Sequence, residues 1–131
     1  MLPKRLRQLP YVVHTNRELG LMLGGLKPVA YFIAISGREP DCLIRYWRMF
    51  DRHVGLGRFI KREFREPVPD RPQFQCRSIF YSLPGEEWRI DALRMLLAQP
   101  GAWSDDRERR FSELLGYEDW QNDYWLSRRG A

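Results

Sequence analysis

Four segments of the chain have the apolar and β-branched composition of strands. "YVVHT" at residues 11–15 predicts a short strand, and the unbroken apolar run "PVAYFIAI" at residues 28–35 predicts a fully buried central one. "RFIKREFRE" at residues 58–66 is too densely charged for the centre of a sheet, so we expect an edge strand. "FQCRSIFYSL" at residues 74–83 predicts its antiparallel hairpin partner.

The helical period appears between and after these strands. Thr15 and Glu18 have the spacing of a capping box, which predicts a short helix ending at the two glycines of residues 24–25. Apolar side chains then recur at i, i+3, i+4 and i+7, and predict a helix over residues 40–52, with a strand over "CLIRYW" at residues 42–47 as the alternative. The members of this stripe are Leu43, Tyr46, Trp47 and Phe50.

Three further helices are expected in the C-terminal part of the chain. The first follows Pro84 and stops at Pro100. Ser104 is placed to cap the second, and Gly116 to close it in the left-handed conformation that glycine adopts easily. The third contains the aromatic stretch "GYEDWQNDYWL" at residues 116–126.

The predicted order β-α-β-α-β-β-α-α-α is typical of an α+β protein. We expect one domain over residues 1–131, with an antiparallel or mixed sheet of about four strands and a helical C-terminal third. The basic residues 1–9 and the tail at residues 127–131 are expected to be flexible. Three prolines predict a loop at residues 67–73.

Charge is unevenly distributed along the chain. Residues 1–66 contain 13 Lys or Arg and 6 acids, a net +7, whereas residues 67–131 contain 9 and 11, a net −2. Most of the excess lies within residues 45–66, which suggests an anionic partner for this surface. The candidate binding cations are Arg45, Arg48, Arg52, Arg58, Lys61, Arg62 and Arg65. A merely solvated basic face is the alternative. Of the 22 basic residues, 19 are arginine, a bias that GC-rich coding produces without selection for binding.

Aromatic residues near the C-terminus offer a second candidate contact surface. Trp120 and Trp125 point to different sides of the expected last helix, so one side remains available after the other is buried. Trp and Tyr commonly anchor protein interfaces. We therefore include Trp120, Tyr124 and Trp125 among the candidate binding residues, with a role in capping the core as the alternative.

The two histidines, His14 and His53, are weak catalytic candidates for metal-independent RNA cleavage. "RMFDRH" at residues 48–53 has the R-x4-H spacing and resembles the active-site motif of HEPN ribonucleases. That resemblance implies that Arg48 holds the phosphate and His53 acts on the 2′-hydroxyl. It covers six residues, and the family fold is all-helical, whereas this chain is predicted to be α+β. The chain is therefore not assigned to that family.

No cofactor or metal site is indicated, because Cys42 and Cys76 have no further Cys or His at ligand spacing. We expect reduced, buried thiols in a bacterial-type cytoplasm. The longest apolar run is far shorter than the roughly 20 residues of a membrane-spanning helix. No secretory signal is indicated either.

Three functional hypotheses follow from these patterns. The favoured one is a small non-enzymatic binding protein, similar to inhibitors or immunity proteins, that captures a macromolecular partner through basic and aromatic side chains. A nucleic-acid binder would use residues 45–65, with Trp47 or Phe59 stacking on bases. A small ribonuclease or phosphodiesterase would use His53. A homodimer in which the basic and acidic halves of two chains meet is also considered.

Overall fold

A computed structural model describes residues 3–129 of the chain, with the side chain of Arg129 excluded. The elements in chain order are α1 (Lys4–Arg7), α2 (Glu18–Leu23), β1 (Val29–Ile35), α3 (Asp41–Gly55), β2 (Ile60–Val68), β3 (Arg71–Ser82), α4 (Trp88–Ala98), α5 (Asp105–Leu115) and α6 (Asp119–Arg129). This arrangement confirms the predicted α+β class and the helical C-terminal part.

The sheet has three antiparallel strands in the order β1-β3-β2, so the prediction of about four strands was wrong. The missing strand is residues 11–15, which form no ladder in the described part of the chain. Instead of a ladder hydrogen bond, the backbone N–H of His14 donates to the hydroxyl of Tyr117 at 2.9 Å. This segment lies along the C-terminal helices instead of joining the sheet.

The strand predicted to be central, β1, is an edge strand, and β3 lies between it and β2. Only the beginning of β1 is deeply covered: Val29 and Ala30 are fully buried, whereas Ile33 is 53% exposed. An apolar run alone does not distinguish a central strand from an edge strand that helices cover at one end. The edge position of β2 and its hairpin with β3 are both confirmed.

Two apolar cores lie on the two faces of the sheet. Helices α2 and α3 supply the first, in which Trp47 and Phe50 contact Tyr81 and its neighbours. Helices α4 and α5 supply the second, in which Leu93 and Leu114 pack on Phe80. The predicted apolar stripe of α3 is therefore confirmed as a core-facing stripe.

Helix ends differ from the prediction at α2 and agree with it at α5. Helix α2 begins at Glu18 with Arg17 at the cap, and Thr15 makes no capping hydrogen bond, so the predicted capping box is wrong. A turn at Asn16, with φ of +67°, separates Thr15 from the helix. Ser104 caps α5 by accepting from the Arg107 backbone N–H at 3.2 Å. Gly116 closes α5 in the left-handed conformation, as expected.

The predicted proline-rich loop at residues 67–73 is reduced to a tight turn at residues 69–70. Pro67 lies in β2 and Pro72 in β3, at the end of the hairpin that β1 does not reach. Proline is tolerated there because each strand has a free side that needs no N–H donor. At the chain ends, α6 continues through residues 127–129, where a flexible tail was expected, and α1 lies within residues 1–9. Residues 1–2 and 130–131 lie outside the described part.

Candidate functional site

The outer face of α3 presents three arginines at i, i+3 and i+7. Arg45, Arg48 and Arg52 therefore share one side of the helix, and the stripe is about 10 Å long. All three side chains are exposed. None of them forms an ion pair or a side-chain hydrogen bond with another described residue. We call these arginines, together with Met49 between them, the α3 basic face.

Met49 gives the α3 basic face an apolar centre. It lies four residues after Arg45 and three before Arg52, so its side chain lies on the same side of the helix as theirs. Its side chain is 47% exposed. An open groove of about 360 Å³ runs beside it, with Asn16 and Cys42 in its walls. Cys42 is an exposed free thiol and Cys76 a half-buried one, so the expectation of two buried thiols was wrong.

Asp51, the acid near the end of α3, is engaged with residues of the sheet. Asp51 accepts from the Lys61 ammonium group at 2.9 Å and from the Tyr81 hydroxyl at 2.8 Å. Burial and then this hydrogen bond raise the pKa of Tyr81 well above its usual range, so its hydroxyl stays protonated and donates. Lys61, which was predicted to be a binding cation, is thus partly neutralised inside the molecule.

The other predicted cations do not join the α3 basic face as one surface. Arg65 pairs with Glu63 at 3.2 Å. Arg62 points to the opposite face of the sheet from Lys61 and Arg65, because successive side chains of a strand alternate. Arg58 follows α3 and lies beside its end, with one guanidinium nitrogen 3.1 Å from Nδ1 of His53.

Glu63 is the centre of a separate ion-pair network on the sheet. Arg77 donates to Glu63 and to Glu39, each at 2.9 Å, and its guanidinium lies over the Trp47 ring. Burial alone raises the pKa of Glu63, but the hydrogen bonds and charges of Arg77 and Arg65 outweigh it, so the net pKa is lowered. This network fixes the position of the sheet relative to α3 and leaves the outer arginines of the helix uninvolved.

The predicted catalytic residues do not form one site. His53 contacts Arg58 and the ring of Phe59, whereas His14 contacts Lys27 and stacks on Tyr117. Arg48 and His53 are five residues apart on α3, which directs them about 140° apart around the helix axis. A shared phosphate between these two side chains is therefore not supported by the geometry.

The proposed base-stacking residues are unavailable for that role. Trp47 is 4% exposed and Phe59 is 3% exposed, because both belong to the core under α3. Stacking on a nucleic-acid base requires an open ring face. The α3 basic face consequently has cations but no aromatic platform.

The C-terminal aromatics are mainly engaged with the N-terminal segment. Tyr11 makes edge contacts with the rings of Tyr117, Trp120 and Tyr124 at centroid distances of 5.5–6.3 Å. Trp120 remains 48% exposed, so part of its ring is free. Trp125 lines a cavity of about 310 Å³ between the N-terminal segment and helices α5 and α6.

A buried lysine next to this segment was missed from the sequence. Lys27 is 2% exposed, and its ammonium nitrogen lies 2.7 Å from the Leu115 carbonyl oxygen and 2.8 Å from Nδ1 of His14. Burial lowers its pKa to about 7, while the charge of Glu18 acts in the opposite direction. Burial and then the Lys27 charge lower the pKa of His14 to about 3. The neighbouring sequence gives no signal of this burial, since Leu26 is itself 72% exposed.

Within residues 3–129, no three His, Cys, Asp or Glu side chains cluster so that they could hold a metal ion. No helix of that region is long and apolar enough to cross a membrane. No protein-family model matches the chain, and neither the curated proteins nor the solved structures contain a detectable match.

Proposed function

We propose that the protein is a small non-enzymatic binding protein, similar in kind to inhibitors or immunity proteins, that captures an acidic protein through the α3 basic face. The observation that supports this most is the set of three exposed arginines without carboxylate partners around Met49. Arg and Met are enriched at protein interfaces, where an apolar centre is surrounded by polar side chains.

The environment of the arginines supports a recognition role over a structural one. Elsewhere in the chain, Arg77, Arg89 and Arg94 each pair with a carboxylate of the same molecule. Arg45, Arg48 and Arg52 do not. Unlike the exposed arginines at positions 7, 17 and 71, which lie at different elements, they form one stripe on a single helix, so their combined charge can steer an acidic partner toward it. The groove beside Met49 provides space for an apolar side chain of that partner.

A protein partner is favoured over a nucleic acid by the side chains next to the arginines. Met49 is 47% exposed and Leu56 is 61% exposed, so both offer apolar contact area. A protein partner can cover this area with apolar side chains, whereas a phosphate backbone cannot. The buried Trp47 and Phe59 remove the stacking mode of single-strand binding. We propose the cytoplasm as the site of action, since an exposed thiol such as Cys42 persists in a reducing compartment.

Affinity capture from a lysate of the source cells, with and without nuclease, tests this proposal. Three baits are compared: the wild-type chain, the triple variant R45E/R48E/R52E, and the control R7E/R17E/R71E, which makes the same charge change at exposed arginines elsewhere. We expect a nuclease-resistant protein that the wild type and the control retain and the α3 variant loses. Capture that nuclease abolishes would instead support nucleic-acid binding. Capture that all three baits share would refute a role for the α3 basic face.

A further inference from the structure

The two edges of the sheet are chemically opposite. The β2 edge carries Lys61, Arg62, Glu63, Arg65 and Glu66, and its register shifts at residues 67–68. Charges, proline and irregularities of this kind prevent an edge strand from pairing with another chain. The β1 edge, "VAYFIAI", contains no charged residue, no proline and no register shift.

The hydrogen bonds of β1 identify the backbone groups that face its free edge. The Ser36 N–H donates to the Gln75 carbonyl, and the Leu83 N–H donates to the Pro28 carbonyl. Both bonds join directly opposite residues, so even-numbered residues of β1 point their polar groups toward β3. The odd-numbered residues must point theirs away from the sheet.

Most of these outward groups lack a partner among the described residues. The Ile35 carbonyl accepts from the Arg38 N–H, but Tyr31 and Ile33 have no such bond on that side. The side chains of the odd-numbered residues lie on the sheet face that α4 and α5 cover. These helices do not cover the end of β1, where Ile33 is 53% exposed and Ile35 is 36% exposed. Val29 is fully buried, so the accessible part of the edge is residues 31–35.

From this geometry we infer that the β1 edge pairs with the β1 edge of a second copy, giving a continuous six-stranded sheet. The absence of charge means that identical edges meet without repulsion. Centring the two-fold axis on the accessible residues places Ile33 opposite Ile33 of the other copy, and Tyr31 opposite Ile35. This register forms four backbone hydrogen bonds between groups that have no other partner, and two more are available at the Ile35 carbonyls, which also accept from Arg38. It joins aromatic and β-branched side chains, a favourable cross-strand combination.

The expected dimer is weak. Five residues from each copy bury less than the roughly 1,600 Å² of a standard stable interface. We therefore expect dissociation constants of roughly 10–500 µM and a monomer–dimer equilibrium in solution. The α3 basic face lies on another element, so this inference stands independently of the proposed partner.

Sedimentation equilibrium from about 10 µM to 1 mM tests the association, with Ile33→Lys as the probe and Met95→Lys as the control. Met95 is 72% exposed on α4, so its substitution adds the same charge away from the edge. We expect the wild type and the control to dimerise and Ile33→Lys to remain monomeric. A wild type that stays monomeric over the whole range overturns the inference. The β1 edge would then be available only to a strand of a different protein. Equal dimerisation of both lysine variants also overturns it.

Disulfide trapping tests the register in a background of Cys42→Ser and Cys76→Ser. Opposed Cα atoms in a hydrogen-bonded pair are about 5.5 Å apart, within the range of a disulfide, so Ile33→Cys should form a covalent dimer on oxidation. In the same register, two copies of Ile35→Cys lie about 13 Å apart along the strands and should not. Efficient trapping at residue 35 with none at residue 33 would contradict the proposed pairing.

Discussion

The ammonium nitrogen of Lys27 lies 2.8 Å from Nδ1 of His14, and together the two side chains connect the N-terminal segment to the end of α5. An ammonium group has no lone pair, so the protonated lysine donates and Nδ1 accepts. While Lys27 is protonated, which holds below its pKa of about 7, this hydrogen bond requires a neutral imidazole. The lowered pKa of His14, about 3, expresses the same constraint.

The free energy of unfolding should consequently decrease as the pH falls, because His14 is protonated more readily in the unfolded chain. Below pH 6.5 the unfolded histidine binds a proton, whereas the folded one does not until about pH 3, so protons favour the unfolded state across this window. Between pH 6.5 and pH 4.5 we expect a loss of about 1 kcal/mol, which allows for solvent screening at the exposed part of the ring. Urea unfolding at each pH measures this loss, and the same measurement on His14→Gln and His53→Gln provides the comparison.

His14→Gln and His53→Gln separate this effect from the general acid response of the carboxylates. The histidine-specific part of the decrease should disappear in His14→Gln, because glutamine does not titrate, and should persist in His53→Gln. Identical pH profiles for the two variants would show that the pKa of His14 is the same in the folded and unfolded chain.

Gly116 is required for close packing as well as for its backbone conformation. Its φ is +101°, and a Cβ at this position would lie 2.6 Å from Cδ of Pro28. Gly116→Ala should therefore lower the free energy of unfolding by about 3 kcal/mol, from left-handed strain and the clash together. Gly37→Ala is the matched control, since φ there is +86° but no atom lies within 4 Å. We expect a loss of about 1 kcal/mol in the control, measured by urea unfolding.

Tyr11 should contribute measurably to stability through its contacts with the C-terminal aromatics. Removing the ring in Tyr11→Ala eliminates edge contacts with Tyr117, Trp120 and Tyr124, and should cost about 2 kcal/mol. Val12→Ala, at a 49% exposed neighbour, should cost less than about 0.5 kcal/mol. Thermal unfolding followed by near-ultraviolet circular dichroism compares the two. Equal losses would mean that the rings do not hold the segment.

Local patterns in the sequence predicted the elements that depend on local chemistry. The stripe from Leu43 to Phe50 identified both the core side of α3 and, by exclusion, its arginine side. The caps of α5 and the edge position of β2 were likewise predictable. Period and capping are determined by residues within one or two turns of each other.

Features that depend on distant residues were not predictable. The strand-like residues 11–15 bond to Tyr117, about a hundred positions away, and so never join the sheet. Lys27 is buried because Leu115 supplies a carbonyl acceptor 88 positions later. The central position of β3 depends on its pairing with both β1 and β2. The apolar pattern of one strand does not specify how many neighbours that strand has.

Binding of an acidic protein by Arg45, Arg48 and Arg52 is the central element of the proposed function. The most direct measurement is the dissociation constant of the purified captured partner for the wild type, R45E/R48E/R52E and R7E/R17E/R71E at about 150 mM salt. We predict at least a 100-fold weaker complex for the α3 variant and less than a threefold change for the control, because only the former places like charges against the partner. Equal weakening of both variants, or an unchanged dissociation constant for the α3 variant, would show that the partner does not bind through the α3 basic face.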